Sequence, residues 1–163
     1  MDDEAVLIRA GASQPRRAIA TLILGMLGAL LLLVAADAAM TGLWRGVYSL
    51  CGLGAMFLSY RLWQATGDML ELTREELRTA SGRRLARVEN VESVDRGAFA
   101  FKPSNGFIVR LKSAEDQRAW APGLWWRIGR RIGVGGVVAA GQAKAMAEVL
   151  TAINSGTVPK DSA

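Results

Sequence analysis

The chain has 163 residues, 51% of them hydrophobic, with 20 basic and 15 acidic side chains and a net charge of +5. It has no histidine and one cysteine, Cys51. That excludes Ser–His–Asp catalysis, histidine-ligated metals, an intrachain disulfide and a cysteine zinc site.

In chain order, residues 1–17, opening with Asp2, Asp3 and Glu4, read as a mobile N-terminal tail. Residues 18–36 follow, a run of 19 uncharged residues behind Arg16 and Arg17 and ahead of Asp37. This is close to the roughly 20 residues a spanning helix needs. A second segment runs from Leu43 to Trp63, with 15 uncharged residues between Arg45 and Arg61. Arg45 can extend outward along its own stem, and Trp44, Tyr48, Tyr60 and Trp63 sit near the ends, where amphipathic rings favour the headgroup level. A helix lying in the interface is the competing reading of this second segment.

The link 37–42 is short, so the two segments are expected as an antiparallel transmembrane hairpin over 18–66. Thr21, Gly25 and Ala29 on the first helix, and Cys51, Ala55 and Ser59 on the second, recur at i, i+4, i+8. Small residues in such rows let helices approach closely in lipid, so these six are the helix-packing candidates. Cys51 is read as one of them rather than as a redox or metal residue. Arg9, Arg16 and Arg17 precede the first span, and Arg61, Arg74 and Arg78 follow the second. The connecting loop offers only Arg45, so both termini are expected in the cytoplasm. Arg16 and Arg17, the apolar run and Ala36 to Ala38 also imitate a cleavable signal peptide. Against that, the apolar run is longer than a signal's, and a second hydrophobic segment follows at once.

Residues 67–155 read as a small α+β domain. Leu70 and Leu72 alternate in a half-buried strand, residues 73–76 form a polar turn, and residues 77–80 return. Residues 84–88 make a third strand, broken at Glu89 and Asn90. Residues 98–101 and 107–111 are expected to pair across the turn 102–106, whose Asn105 and Gly106 are a strong hairpin signal. Short strands at regular spacing predict a meander that curls toward a sandwich or barrel. Residues 139–154 predict an amphipathic helix with Val138, Met146, Val149, Leu150 and Ile153 mainly on one face. Residues 156–163 are a C-terminal tail.

A strand-rich segment closed by one C-terminal helix is the order of a pleckstrin-homology-like barrel. The runs Leu70 to Leu77 (LELTREEL) and Arg83 to Val94 (RRLARVENVESV) resemble the opening strands of bacterial PH-like domains, which commonly follow one or two transmembrane helices. The resemblance covers about residues 43–153. The family often has a tryptophan before the acidic pair of the third strand, where this chain has Val88 before Glu89 and Asn90. The resemblance implies a bacterial inner-membrane protein of the binding kind. Some family members resemble assembly factors for membrane complexes such as photosynthetic reaction centres.

Trp120, Trp125 and Trp126 with Arg127, Arg130 and Arg131 form the densest unusual cluster. They are candidates for contact with lipid or a membrane protein partner; alternatively the tryptophans fill the core and the arginines are solvated. Arg83, Arg84 and Arg87 read as a solvated face beside Glu89 and Glu92. Gly133, Gly135 and Gly136 lack the Gly-Lys-Ser/Thr ending of a phosphate loop, so a tight bend is expected. An excess of +4 over residues 67–163, with 15 basic and 11 acidic groups interleaved, argues against nucleic acid. No catalytic pair stands out. The expectation is a non-enzymatic binding, scaffold or assembly module without cofactor or metal, in contact with the bilayer and a membrane protein partner and with self-association left open. The alternative is a lipid or membrane-surface sensor using the Trp/Arg cluster.

Overall fold

The computed structural model of the protein describes residues 5–37, 39, 41–96, 106–115 and 118–157. The fold is α+β. It begins with a strand, β1 (Ile8–Gly11), then two long helices, α1 (Gln14–Ala35) and α2 (Gly42–Ala65). Three strands follow: β2 (Met69–Leu72), β3 (Glu76–Thr79) and β4 (Arg84–Arg87). A single 3-10 turn at Val88–Asn90 leads into β5 (Val91–Asp95). The chain continues through β6 (Phe107–Leu111), β7 (Ala119–Ala121), β8 (Trp125–Ile128) and β9 (Arg131–Val134) to the final helix α3 (Ala140–Asn154).

The strands form two antiparallel sheets, ordered β1-β2-β3-β4 and β5-β6-β9-β8-β7. Their inward faces supply Leu70, Leu72, Leu77, Leu85, Phe107, Val109, Leu111, Ile132 and Val134 to one core. Met146, Leu150 and Ile153 of α3 close that core, as their spacing predicts, while Val149 is only partly buried. The alternation in β2 has the expected consequence. Leu70 and Leu72 point inward, and Glu71 on the other face forms ion pairs with Arg9 of β1 and Arg78 of β3. Partial desolvation works against the Arg78 charge, but hydrogen bonds and charge from Glu76 and Glu71 outweigh it and raise its pKa. The polar turn after β2 closes through the Thr73 hydroxyl, which accepts the backbone N–H groups of Glu75 and Glu76.

Two expectations change. Residues 8–11, read as part of a mobile tail, are a strand: Ile8 pairs with Leu72 and Gly11 with Met69. The amide of Gly11 also donates to the Gln142 side chain of α3, and Ala12 bridges Val138. Four residues are too short to announce their own period, and their partners lie about sixty positions away. The second sheet, moreover, is not a meander. β6 pairs on one side with β5 and on the other with β9, and β7 is left at the edge. The turns at Gly123 and Gly129, both with positive φ, fold β7, β8 and β9 back on one another, so β9 reaches β6 first. No closed barrel forms among the described residues. The strand expected at 98–101 and most of its turn lie outside the described residues.

α1 and α2 pack side by side and antiparallel: Ser59 Oγ donates to the Thr21 carbonyl near one end, and Leu32 meets Gly52 farther along. At 22 and 24 residues, they are about 33 and 36 Å long. Among the described residues α1 is the one helix long and apolar enough to cross a membrane by length and composition. α2 is long enough but carries Arg45 and Arg61.

Candidate functional site: the helix pair and its junction with the domain

The seam between α1 and α2 is built from Thr21, Gly25, Gly28 and Leu32 against Gly52, Ala55, Met56 and Ser59. Four of the six packing candidates lie in it: Thr21, Gly25, Ala55 and Ser59. Ala29 and Cys51 do not; both face outward. A helix turns every 3.6 residues, so a row stepped by four drifts off the contact line, and Gly28 and Gly52 take the places assigned to Ala29 and Cys51. The pattern i, i+4, i+7, i+11 from Thr21 would have found Gly28. A Cβ on Gly28 would stand 2.9 Å from the Gly52 carbonyl oxygen, so the two backbones are in direct contact.

The outer faces of the pair are apolar. Of the large hydrophobic side chains exposed among the described residues, all but Leu7, Met69, Trp120 and Ile128 belong to α1 and α2. Arg45 reaches back to donate to the carbonyl of Asp37 at the link, so its charge sits at the far end of α2. At the other end, Arg17 donates to the Trp63 carbonyl at 2.7 Å, with its guanidinium 3.9 Å from the Trp63 ring centroid. Such a cation–π contact contributes about 0.5–2 kcal/mol. It clamps the start of α1 to the end of α2 where both meet the sheets. With 46 positions between the two residues, no local pattern announces this contact.

The Trp/Arg cluster does not form one surface. Trp125 is 4% exposed and Arg127 is 3% exposed, both within the fold, while Trp120 is 53% exposed. Trp126 lies across Gly133 of β9, where any Cβ would collide with the indole. Arg130 and Arg131 are exposed at the β8–β9 turn. The turn before β8 packs on α2, with Gly123 against Leu62 and Thr66. β8 then runs away from the helices, so Arg130 and Arg131 lie a strand's length from Trp120. Sequence proximity suggested a patch, but the alternation of a strand and the hairpin after it disperse it.

Arg127 has a structural task. Its Nη1 donates to the carbonyl of Leu85 at 3.0 Å, linking β8 of one sheet to β4 at the edge of the other. Arg127→Met leaves that buried carbonyl without its partner, at an expected cost of about 1–3 kcal/mol. Arg130→Gln and Arg131→Gln should each change stability by less than about 0.5 kcal/mol. Thermal unfolding of the full chain in detergent checks this; equal melting temperatures for all three variants would remove the assigned role.

Two grooves flank the sheets on the outside of the core. One, at the start of β6 and the first half of α3, is lined by Arg96, Lys144 and Glu148, and its charges pair internally: Arg96 with Glu148 at 3.0 Å and Lys144 with Glu148 at 4.0 Å. The other lies at the base of α2, between Arg61 and Gln64 of the helix, Arg83 of the β3–β4 turn and Trp120 of β7. Around Asn90 a polar network ties the 3-10 turn to the segment after β6, with Asn90 Nδ2 donating to Glu115 and to the Ser113 carbonyl. Gly133 lies in β9, and Gly135 and Gly136, both with positive φ, make the bend after it. Among the described residues no three acidic or cysteine side chains come together as a metal-binding group.

Comparison with protein-family models, with curated proteins and with solved structures finds no match.

Proposed function

We propose that this is a membrane-anchored binding module. In this reading α1 and α2 cross a bacterial inner membrane as a hairpin, and the two-sheet domain sits against its cytoplasmic face. There it acts as a non-catalytic scaffold or assembly component for a larger membrane protein complex. The observation that carries the reading is the combination of the exposed apolar sleeve on α1 and α2 with the pairing of β1 to β2. An unbroken apolar surface of that extent is unfavourable in water and favourable in lipid. Because the strand before α1 and the strand after α2 are neighbours in one sheet, the chain leaves the domain and returns to the same side, as two crossings require. The arginines at the domain end, including Arg9, Arg16, Arg17 and Arg61, favour the cytoplasmic face. The same pairing speaks against signal cleavage, which would remove β1 from the folded domain.

The two antiparallel sheets and the closing helix α3 support the likeness to PH-like domains, while the strand order of the second sheet departs from the expected meander. The dispersal of the Trp/Arg cluster favours the scaffold reading over the sensor alternative. Holding the domain at the bilayer raises its effective concentration near membrane partners, so modest contacts suffice for assembly.

Cys51 supplies a test of the anchor, since it is the one thiol in the chain and faces outward from α2. In intact membranes it should resist a membrane-impermeant maleimide and react once the protein is denatured. Rapid labelling in sealed, undenatured membranes would overturn the spanning assignment. Purification of the tagged chain from its native membrane in mild detergent should bring a stoichiometric partner. The chain recovered alone would overturn the scaffold role.

A further inference from the structure

We infer that the groove at the base of α2 holds the phosphate of an anionic phospholipid, gripped by Arg61 and Arg83 with Trp120 at its lip. The inference rests on the membrane reading above and deepens it. Three observations converge on this groove. First, it opens where the apolar shaft of α2 ends, between the helix, the β3–β4 turn and β7. Helical side chains lean toward the helix N-terminus, and Arg61 does so, its guanidinium 5.9 Å from the ring centroid of Phe57, one turn back along the shaft. That puts its charge beside the apolar surface, at the level a headgroup would occupy.

Second, the charge balance is right for an anion. Neither Arg61 nor Arg83 takes part in an ion pair among the described residues, unlike Arg9, Arg78, Arg84 and Arg87, each of which faces a glutamate. The one carboxylate in the groove, Asp68, is already occupied. It accepts the amides of Met69 and Ser81 and, at 2.6 Å, the Ser81 hydroxyl. It thereby fixes the turn that carries Arg83. Two guanidinium groups with free donors suit phosphate oxygens, which accept charge-assisted hydrogen bonds.

Third, Trp120 is one of only four large hydrophobic residues exposed outside the two helices among the described residues, and it lines this groove. An indole at the rim prefers the interface, where its ring is shielded and its N–H stays hydrated. A free phosphate in solution would not need the tryptophan or the adjoining shaft. A phospholipid uses all three.

The test uses the full chain in detergent micelles doped with phosphatidylglycerol or with phosphatidylcholine, with retained lipid read by native mass spectrometry. Wild type should retain phosphatidylglycerol in preference to phosphatidylcholine. Arg61→Gln combined with Arg83→Gln should lower phosphatidylglycerol retention roughly tenfold or more, the effect of about two surface arginines. Arg61→Lys with Arg83→Lys should keep most of it, and Arg130→Gln with Arg131→Gln should leave it unchanged. Equal retention by wild type and the double Gln variant overturns the inference. So does equal retention of the two lipids by wild type, or a matching loss in the Arg130/Arg131 control. Carbonate washing of native membranes separates the two levels of failure. If the chain stays in the pellet but the lipid result is negative, the groove alone is wrong. If the chain is released as soluble protein, the membrane reading fails with it.

Discussion

Ala10→Asp is expected to unfold the domain, although Ala10 lies before the first long helix in a stretch that reads as a tail. Its side chain is 0% exposed; it pairs with Leu70 in the sheet and belongs to the same core as α3. An aspartate there has no cationic partner within the core. An unpaired buried charge costs about 3–5 kcal/mol, a large share of the roughly 5–15 kcal/mol that holds a domain folded. Ala5→Asp, on an exposed position of the same segment, should have almost no effect. Limited proteolysis of the full chain in detergent distinguishes the two: rapid digestion of residues 67–157 is expected for Ala10→Asp alone. If both variants resist equally, β1 is not part of the domain. The consequence for function is direct. Processing that removes the first strand would leave β2 an open edge beside α3, so the domain depends on the N-terminal segment staying attached.

The second large effect is expected at the helix seam. Gly28→Leu places a side chain where even a Cβ would meet the Gly52 carbonyl and Met56 at 2.9 Å. Backbone cannot yield as the end of a flexible side chain can, so the helices must separate. Overpacking of this kind costs about 1–3 kcal/mol, because two backbones already in direct contact leave no room for a larger side chain. Gly54→Leu is the control, since a Cβ there meets nothing within 4 Å. A disulfide-trapping pair across the seam, Gly25→Cys with Ser59→Cys in a Cys51→Ser background, should cross-link readily with Gly28 intact and poorly in Gly28→Leu. Equal cross-linking in both would show that Gly28 is not the point of closest approach. Separation of the helix ends would also loosen the Arg17–Trp63 clamp and, with it, the position of the domain relative to the helix pair.

The local signals read well where one element carries its own pattern. The uncharged run behind Arg16 and Arg17 became α1, the alternation at Leu70 and Leu72 became β2, and the apolar face from Met146 to Ile153 became α3. The break at Glu89 and Asn90 is the 3-10 turn. In β2 and α3 the period of the backbone repeats within a few residues, so burial on one side is written into the spacing, whereas α1 is legible from its uncharged length. The packing candidates were legible as a composition but not as a contact line: Thr21 and Ser59 meet, whereas Ala29 and Cys51 turn away.

What the amino-acid sequence determined by itself is therefore the elements and their faces: two long helices, one of them long and apolar enough to cross a membrane, short alternating strands, and a closing amphipathic helix. The tertiary structure alone decided which elements meet. It made residues 8–11 a strand, placed β9 between β6 and β8, buried Trp125 and Arg127 while leaving Trp120 at the surface, and brought Arg61 and Arg83 to one groove. The physical reason is common to all four. Strand pairing and the burial of a side chain depend on partners tens of residues away, and a four-residue strand contains too few side chains to specify them. Such choices are settled when the whole core closes and each sheet edge finds the neighbour that best satisfies its hydrogen bonds.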